Sequence, residues 1–370
     1  MNVSRRLLAG LISLPKPTSK LTGILSKNNR YLNTTASLQC QANFTRFAIP
    51  TILKRFIEPR YVDITGYVRN GEVLKMIEEV GQVAVRRYWM GDISPGLTTK
   101  FGILAGIDKL NFRQHLLPED YVHLHARVNY VSQHSLEVQV DVYAEDLSTH
   151  ERRLANSVSI WYVAAEVMKD RRVRVMQLPP LYYECAEDED KGHERYQLQR
   201  EKRSMDYQLY LDYKFPARLY EDWNTNIDYK NVPKHCVQSS QMSLDRMVQT
   251  SDCSALGFAT ASPIIELMDT TAVMAASKHC DNACKTLCID SINFHHPVRI
   301  DSLLTAVAKI SSTSKHSLNL EIAAIAEDLS TGQREFVANG FFKLLSADEE
   351  GNPLPVPPLI DVGELEQLRL

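Results

Sequence analysis

The sequence predicts an α+β fold made of two tandem copies of one unit, each an antiparallel sheet around one long central helix. Three observations carry that expectation. The first is a repeat in register: Ile107-Asp-Lys-Leu-Asn-Phe112 becomes Ile289-Asp-Ser-Ile-Asn-Phe294, and His134-Ser-Leu136 becomes His316-Ser-Leu318. Ala144-Glu-Asp-Leu-Ser-Thr149 returns letter for letter at 326–331, and each of these pairs is separated by the same 182 positions. A gapless correspondence over that length means two copies of one domain. The second is a helix-period segment ahead of each copy, at 70–88 and from Pro263 to His279. The third is strand alternation, plainest in Leu136, Val138, Val140 and Val142, which puts one set of side chains on one face of a sheet.

Taken in order, residues 1–46 contain Arg5, Arg6, Lys16, Lys20, Lys27, Arg30 and Arg46 and no acid, the pattern of a mitochondrial transit peptide. A secretory signal is the rival, because 7–14 is a short apolar run and Asn33 and Asn43 lie in glycosylation sequons. The first unit is expected at 47–167. It opens with a strand near 47–59, then the helix carrying Val73, Leu74, Met76, Ile77, Val80, Val83 and Ala84 at helical spacing. A longer loop holding Gly91, Pro95 and Gly96 follows, then strands at 107–112, 123–131, 136–145 and 153–164. Residues 168–236 read as a linker without chemistry of its own, whose charged stretch at 184–203 predicts a solvated helix. The second unit is expected at 237–348. The tail, 349–370, carries Pro353, Pro355, Pro357 and Pro358 and predicts an extended strap.

Composition narrows the function. A net charge of −3 argues against nucleic acid, and no apolar stretch is long enough to span a bilayer. Seven scattered cysteines in 370 residues suggest reduced thiols. Cys280, Cys284 and Cys288 with His279 fall across a helix end, a loop and a strand start, so no metal is expected there. No Gly-x-Ser-x-Gly elbow or phosphate-binding glycine loop is present. What stands out is Asp269 inside an apolar helix, where an ionisable group is either a satisfied structural acid or a working one. Glu78 occupies the matching point of the first helix.

The stretches Gly71-Glu-Val-Leu-Lys-Met-Ile-Glu-Glu79, Tyr130-Val-Ser-Gln-His-Ser-Leu-Glu-Val138 and Trp161-Tyr-Val163 resemble the double-hotdog acyl-CoA thioesterases. Ser251-Asp-Cys253, Leu267-Met-Asp269, Asp290-Ser-Ile-Asn-Phe294 and Leu354-Pro-Val-Pro357 carry the resemblance through the second unit. It implies two tandem hotdog domains and hydrolysis of fatty acyl-CoA to free acid and coenzyme A, with no metal or organic cofactor. The substrate would lie between the paired helices, with Asp269 activating a water and the helix starts at Gly71 and Ser262 holding the oxyanion. The family's Gly-Asn-Val-His-Gly-Gly reads Gly66-Tyr-Val-Arg-Asn-Gly71 here, which puts Tyr67 in the place of the catalytic asparagine. Glu78 would be a structural acid or serve a second equivalent site. His134 and Ser135, with His316 and Ser317, would line the coenzyme A groove, and Asn293, Arg299 and Lys315 would contact pantetheine and phosphates. The resemblance further implies a trimer of two-domain chains. With the basic N-terminal segment it points to the mitochondrial matrix, or to the cytosol where that segment is not used. Two competing classes are a non-catalytic acyl-CoA sensor or scaffold and a hotdog dehydratase.

Overall fold

The computed structural model describes residues 46–62, 66–90, 99–112, 114–168, 173–213, 233–254, 256–348 and 350–360. The predicted transit peptide, apart from Arg46, and most of the loop with Gly91, Pro95 and Gly96 lie outside them. The first unit runs β1 (Thr51–Phe56), α1 (Asn70–Met90), β2 (Lys100–Ile107), β3 (Leu110–Asn111), β4 (Tyr121–Val131), β5 (Ser135–Glu145), β6 (Arg152–Val167) and β7 (Val173–Val175). Helix α2 (Ala186–Tyr213) follows. The second unit runs α3 (Val237–Ser240), β8 (Met242–Met247), α4 (Ser262–Cys280), β9 (Cys284–Phe294), β10 (Ser302–Thr313), β11 (Ser317–Asp328) and β12 (Gln333–Ser346).

All strands join one antiparallel sheet in the order β1-β4-β5-β6-β2-β9-β12-β11-β10-β8, with β7 beside β6 and β3 beside β9. The second half is the first in reverse, and the equivalence reaches single hydrogen-bonded pairs. Val128↔Val138 and Ile310↔Leu320 match, and so do the bulges that follow each. At the centre Ile107 faces Ile292 while Leu110 faces Ile289, so the pairing maps onto itself when the repeats are exchanged. Positive-φ residues recur likewise: Gly66 with Gly257, Glu119 with Asp301, and His150 with Gly332. The letter-for-letter repeat is a turn device. Asp146 Oδ1 accepts from the N–H and hydroxyl of Ser148 (2.7 and 2.6 Å), and Asp328 does the same with Ser330 (2.9 and 2.5 Å).

The sheet wraps α1 and α4, which pack on each other. Helix α4 is buried at Ile264, Ile265, Met268, Ala272, Ala275 and Ala276, as its nearly continuous apolar sequence requires. Gly81 lets α1 approach β6: a Cβ there would collide with the Tyr162 hydroxyl and with Ile160 Cδ1. The sheet differs from the sequence reading at its second strand and at β7, which joins it from the stretch read as linker. The strand expected at 107–112 lies mostly earlier, at 100–107, because the chain breaks pairing around Asp108 and resumes against β9 for Leu110 and Asn111 only.

The linker helix corrects a second expectation. Helix α2 is longer than predicted and not solvated all round: it lies on the sheet with Tyr196 against Trp161 and Tyr130, and Gly192 against Tyr130. The fully buried carboxylate of Glu137 accepts three bonds from Arg195 (2.8–3.1 Å), the kind of pairing a buried charge needs. Further along, Arg203 donates to Phe294 O (3.1 Å) and Asn293 donates to Asp206 (2.6 Å), so α2 is tied to both halves of the sheet. An alternating-charge sequence disguised these few anchoring residues.

Beyond each unit the chain makes the same extended strap. Met176 N–H donates to Ala164 O and Leu178 N–H to Gln133 O, and Leu354 N–H to Ser346 O and Val356 N–H to Lys315 O repeat the pair 182 or 178 positions on. The proline-rich tail is therefore held as expected, and His279 at the end of α4 fixes it through Pro357 O (3.0 Å).

We expect Gly81→Ala to destabilise the protein by about 1–3 kcal/mol through overpacking between α1 and β6. Denaturant melts check it; unchanged stability would mean the helix–sheet contact is not tight.

Candidate active site

Two composite sites arise where each central helix begins, because each helix presents its buried carboxylate to the start of the other. Asp269 leaves α4 toward the first turn of α1. Its Oδ2 accepts from Gly71 N–H (3.1 Å) and its Oδ1 accepts from the hydroxyl of Thr286 on β9 (2.7 Å). The side chain of Asn70 donates to Thr286 O (2.7 Å), pinning the start of α1 to the same strand. A helix N-terminus favours negative charge, so the first turn of α1 and the Asp269 carboxylate attract each other across the repeat boundary. Asp269 is 7% exposed, close to the surface of a site yet out of bulk water.

The second site repeats this with changed chemistry. Glu78 leaves α1 toward the start of α4, where the Ser262 hydroxyl donates to its Oε2 (2.9 Å). Gln82, one turn on, donates to Glu78 Oε1 and to Gly102 O (3.1 Å each). Burial is the largest influence on Glu78 and pushes its carboxyl above the usual range, with the Ser262 and Gln82 hydrogen bonds opposing in part. The two sites thus pair Asp269, Gly71 and Thr286 with Glu78, Ser262 and, at the Thr286 position, Leu104.

A cavity of about 540 Å³ opens on the Glu78 side. Strands β2 and β9 pair only at Gly106 and Ile107, so residues 100–105 and 294–298 diverge and leave a gap. The start of α4 and Gln82 border it on one side and Tyr196, Arg203 and Tyr207 of α2 on the other. The linker, expected to be without chemistry, is a wall of this cavity.

The other predicted site residues divide accordingly. Tyr67 packs its ring on His115 (4.8 Å between centroids) and beneath the Lys285 ammonium (5.0 Å), next to the strand that carries Thr286. Its counterpart Phe258 lines the cavity. Asn293 is not turned to a substrate groove, since its amide holds Asp206 of α2. His316 is taken by the tail, its Nδ1 lying 3.0 Å from Leu354 O, while Ser317 O accepts from Ser314 N–H in a tight turn. Lys315 is exposed and its carbonyl binds Val356. Of the two pairs expected at the coenzyme A groove, His134 and Ser135 line the cavity and His316 and Ser317 do not. Arg299 bridges backbone to Phe258 and sits near Asp328, whose carboxyl it helps to lower after the larger effect of the Ser330 hydrogen bonds. The sequence reading missed Thr286 and Gln82. Aligning the repeats does show a hydroxyl at 286 opposite Leu104, and Gln82 stands four residues after Glu78 on one helix face. No group of three or more His, Cys, Asp or Glu positioned to hold a metal occurs among the described residues.

Comparison with known proteins agrees with this architecture. The thioesterase superfamily profile matches twice, at residues 65–149 and 264–332, the two helix-plus-sheet cores. The chain is 30% identical over 320 residues to a human cytosolic acyl coenzyme A thioester hydrolase, covering 86% of this chain and 80% of the relative. It belongs to the hotdog thioesterase superfamily, among the acyl-CoA thioester hydrolases. A mouse cytosolic acyl coenzyme A thioester hydrolase is 28% identical over 335 residues, 90% of this chain and 84% of the relative. Among solved structures, an apo-hexameric acyl-CoA thioesterase aligns with 37% of this thioesterase and 88% of that chain at 25% identity and a TM-score of 0.34.

The raised Glu78 carboxyl predicts a pH signature. A folded-state value above the unfolded one gives stability that is full below the unfolded range and is lost as pH rises toward the folded value. Glu78→Gln removes that loss, so the melting temperature of the variant minus that of wild type should become more positive as pH rises above about 4. A difference flat with pH would show that Glu78 titrates normally.

Proposed function

We propose that this thioesterase hydrolyses fatty acyl-CoA to fatty acid and coenzyme A, with Asp269 as the base that activates water. The observation that carries the reading is the buried Asp269 carboxylate, fixed at both oxygens by groups from different elements, one of them in the other repeat. An oriented carboxylate keeps lone pairs for a water and is suited to take its proton. Water oxygen then attacks the thioester carbonyl carbon, and the positive end of the α1 dipole favours the charge that develops on the carbonyl oxygen. Collapse breaks the C–S bond. The thiolate leaves with little assistance, since a thiol has a pKa near about 8.5, and it recovers the proton from Asp269. Thr286 keeps the carboxylate oriented, and Tyr67 with Lys285 forms a flank of the same site. The acyl-CoA substrate in this scheme follows the relatives, which are named acyl coenzyme A thioester hydrolases. A sensor without turnover is the weaker reading, because the relatives are named thioester hydrolases and Asp269 is held at both oxygens.

The chain's place and assembly belong to the same proposal. The acid-free basic segment supports import into the mitochondrial matrix, and cytosolic residence would follow where it is not used. A trimer of two-domain chains is supported by the edge strands β1 and β8, which expose Ile52, Phe56 and Met247. A reporter fused to residues 1–50 should enter mitochondria; a diffuse cytosolic signal would reject import.

Asp269→Asn should lower kcat on acyl-CoA by about 10²–10⁴ with little change in binding, because a general base acts on the barrier rather than the ground state. Thr286→Val should lose about tenfold, the value of one orienting hydrogen bond. Thiol release followed with a chromogenic reagent measures both, and undiminished turnover in Asp269→Asn would remove Asp269 from the mechanism.

A further inference from the structure

Three buried groups at one corner of the second unit take no part in the mechanism: Cys280 at the last position of α4, Cys284 at the first position of β9 and Ser346 at the last position of β12. The turn between the two cysteines is only Asp281-Asn282-Ala283, with Asp281 in the left-handed region at φ 55°. It folds β9 back on the helix end, so that Cys284 N–H donates to the Ser277 hydroxyl (3.2 Å). Ser277 and Cys280 stand three apart on one face of α4, which sets Cys284 beside Cys280. Ser346 is the cross-strand partner of Cys284. Its fully buried hydroxyl has no oxygen or nitrogen partner among the described residues, so the two sulfurs are its polar neighbours.

The fold does not require sulfur at this corner. In the first unit the same positions, 191 or 182 residues earlier, hold Trp89, Gly102 and Ala164. The two thiols are also unequal. The Cys284 thiol beside Cys280 lowers the Cys280 thiol from its usual range, against burial and Asp281, and the same contact with burial raises that of Cys284. Cys280 is thus the readier thiolate and Cys284 the thiol that keeps its proton.

We propose that Cys280 and Cys284 form a redox site, closed to a disulfide by hydrogen peroxide and reopened by thiol reductants. The Cys280 thiolate attacks one peroxide oxygen, the O–O bond breaks, and hydroxide leaves as water with the proton that Cys280 had released, giving a sulfenic acid. The Cys284 sulfur then attacks the Cys280 sulfur, the S–O bond breaks, and a second water leaves with the Cys284 proton. Two thiols are oxidised and one peroxide is reduced to two waters. The pair is 5% and 8% exposed and lies directly under the exposed turn at 281–283, which gives a molecule as small as peroxide its way in. The bond also has a consequence for turnover, a step that rests on the Asp269 reading. Cys284 and Thr286 share one face of β9, and Thr286 holds Oδ1 of Asp269. A sulfur–sulfur bond of about 2.05 Å draws the start of β9 toward the end of α4 and displaces Thr286 from the carboxylate it orients.

The test uses the full chain, reduced, treated with hydrogen peroxide, desalted, alkylated and digested with trypsin. Cleavage after Lys278 and Lys285 leaves both cysteines in the single peptide 279–285. That peptide should be lighter than its reduced form by two hydrogens and should resist alkylation until dithiothreitol is added. Turnover of the oxidised protein should fall by about two- to tenfold, the worth of the Thr286 bond, and return with the reductant. Thr286→Val, which lacks that bond, should lose nothing further on oxidation, and Cys284→Ser should neither form the disulfide nor lose turnover. Full alkylation of peptide 279–285 after peroxide has consumed the exposed Cys185 would overturn the proposal. Equal loss of turnover in wild type and Cys284→Ser would overturn it as well. A disulfide with undiminished turnover would overturn the coupling through Thr286 if Asp269→Asn is inactive. If Asp269→Asn keeps its turnover, the Asp269 mechanism has failed and the redox site stands on the peptide mass.

Discussion

A carboxylate buried in an apolar helix must find donors, and here each of two such helices finds them at the start of the other. Leaving Asp269 or Glu78 without partners would cost several kcal/mol, more than most single contacts return. Gly71 N–H and Thr286 meet the need for Asp269, and Ser262 and Gln82 for Glu78. The requirement fixes how α1 and α4 lie against each other. It also places a polar, oriented group at the seam between the repeats.

The sheet enforces the same geometry from outside. Its central joint pairs Ile107 with Ile292 and Leu110 with Ile289, and from there the strands run outward in matching order. Such a joint is short. The strands part on either side of it, and the resulting gap on the Glu78 side becomes the cavity, walled on its outer side by α2.

Much of this was legible in the sequence because repetition converts weak signals into strong ones. The constant offset of 182 positions identified the strands, and the 191-position match of Glu78 with Asp269 identified the paired acids. The partners of those acids were harder to see. Thr286 reads as an ordinary strand residue until Asp269 is set beside it, and Ser262 was read for its backbone at the helix start although its hydroxyl belongs to Glu78. The cavity could not be read at all, since its wall is assembled from 82–86, 100–105, 196–208, 258–264 and 294–298. Helix α2 was misjudged for a physical reason. A long charged helix docks through a few residues such as Tyr196 and Arg195, and charge patterning averages over them. Both His134-Ser135 and His316-Ser317 were assigned to a groove and only the first pair lines one, because a strap covers both turns but the gap opens beside one.

The self-matching joint between β2 and β9 has the form of a symmetric dimer interface, held within one polypeptide. Two separate identical subunits would carry every substitution twice, so any change improving one composite site would be imposed on the other. Covalent fusion lifts that coupling. Serine can stand at 262 with glycine at 71, and glutamate at 78 with aspartate at 269, each tuned without a cost to its twin. The backbone stays symmetric because it must close one sheet, while the side chains at its two seams are free to take up separate tasks.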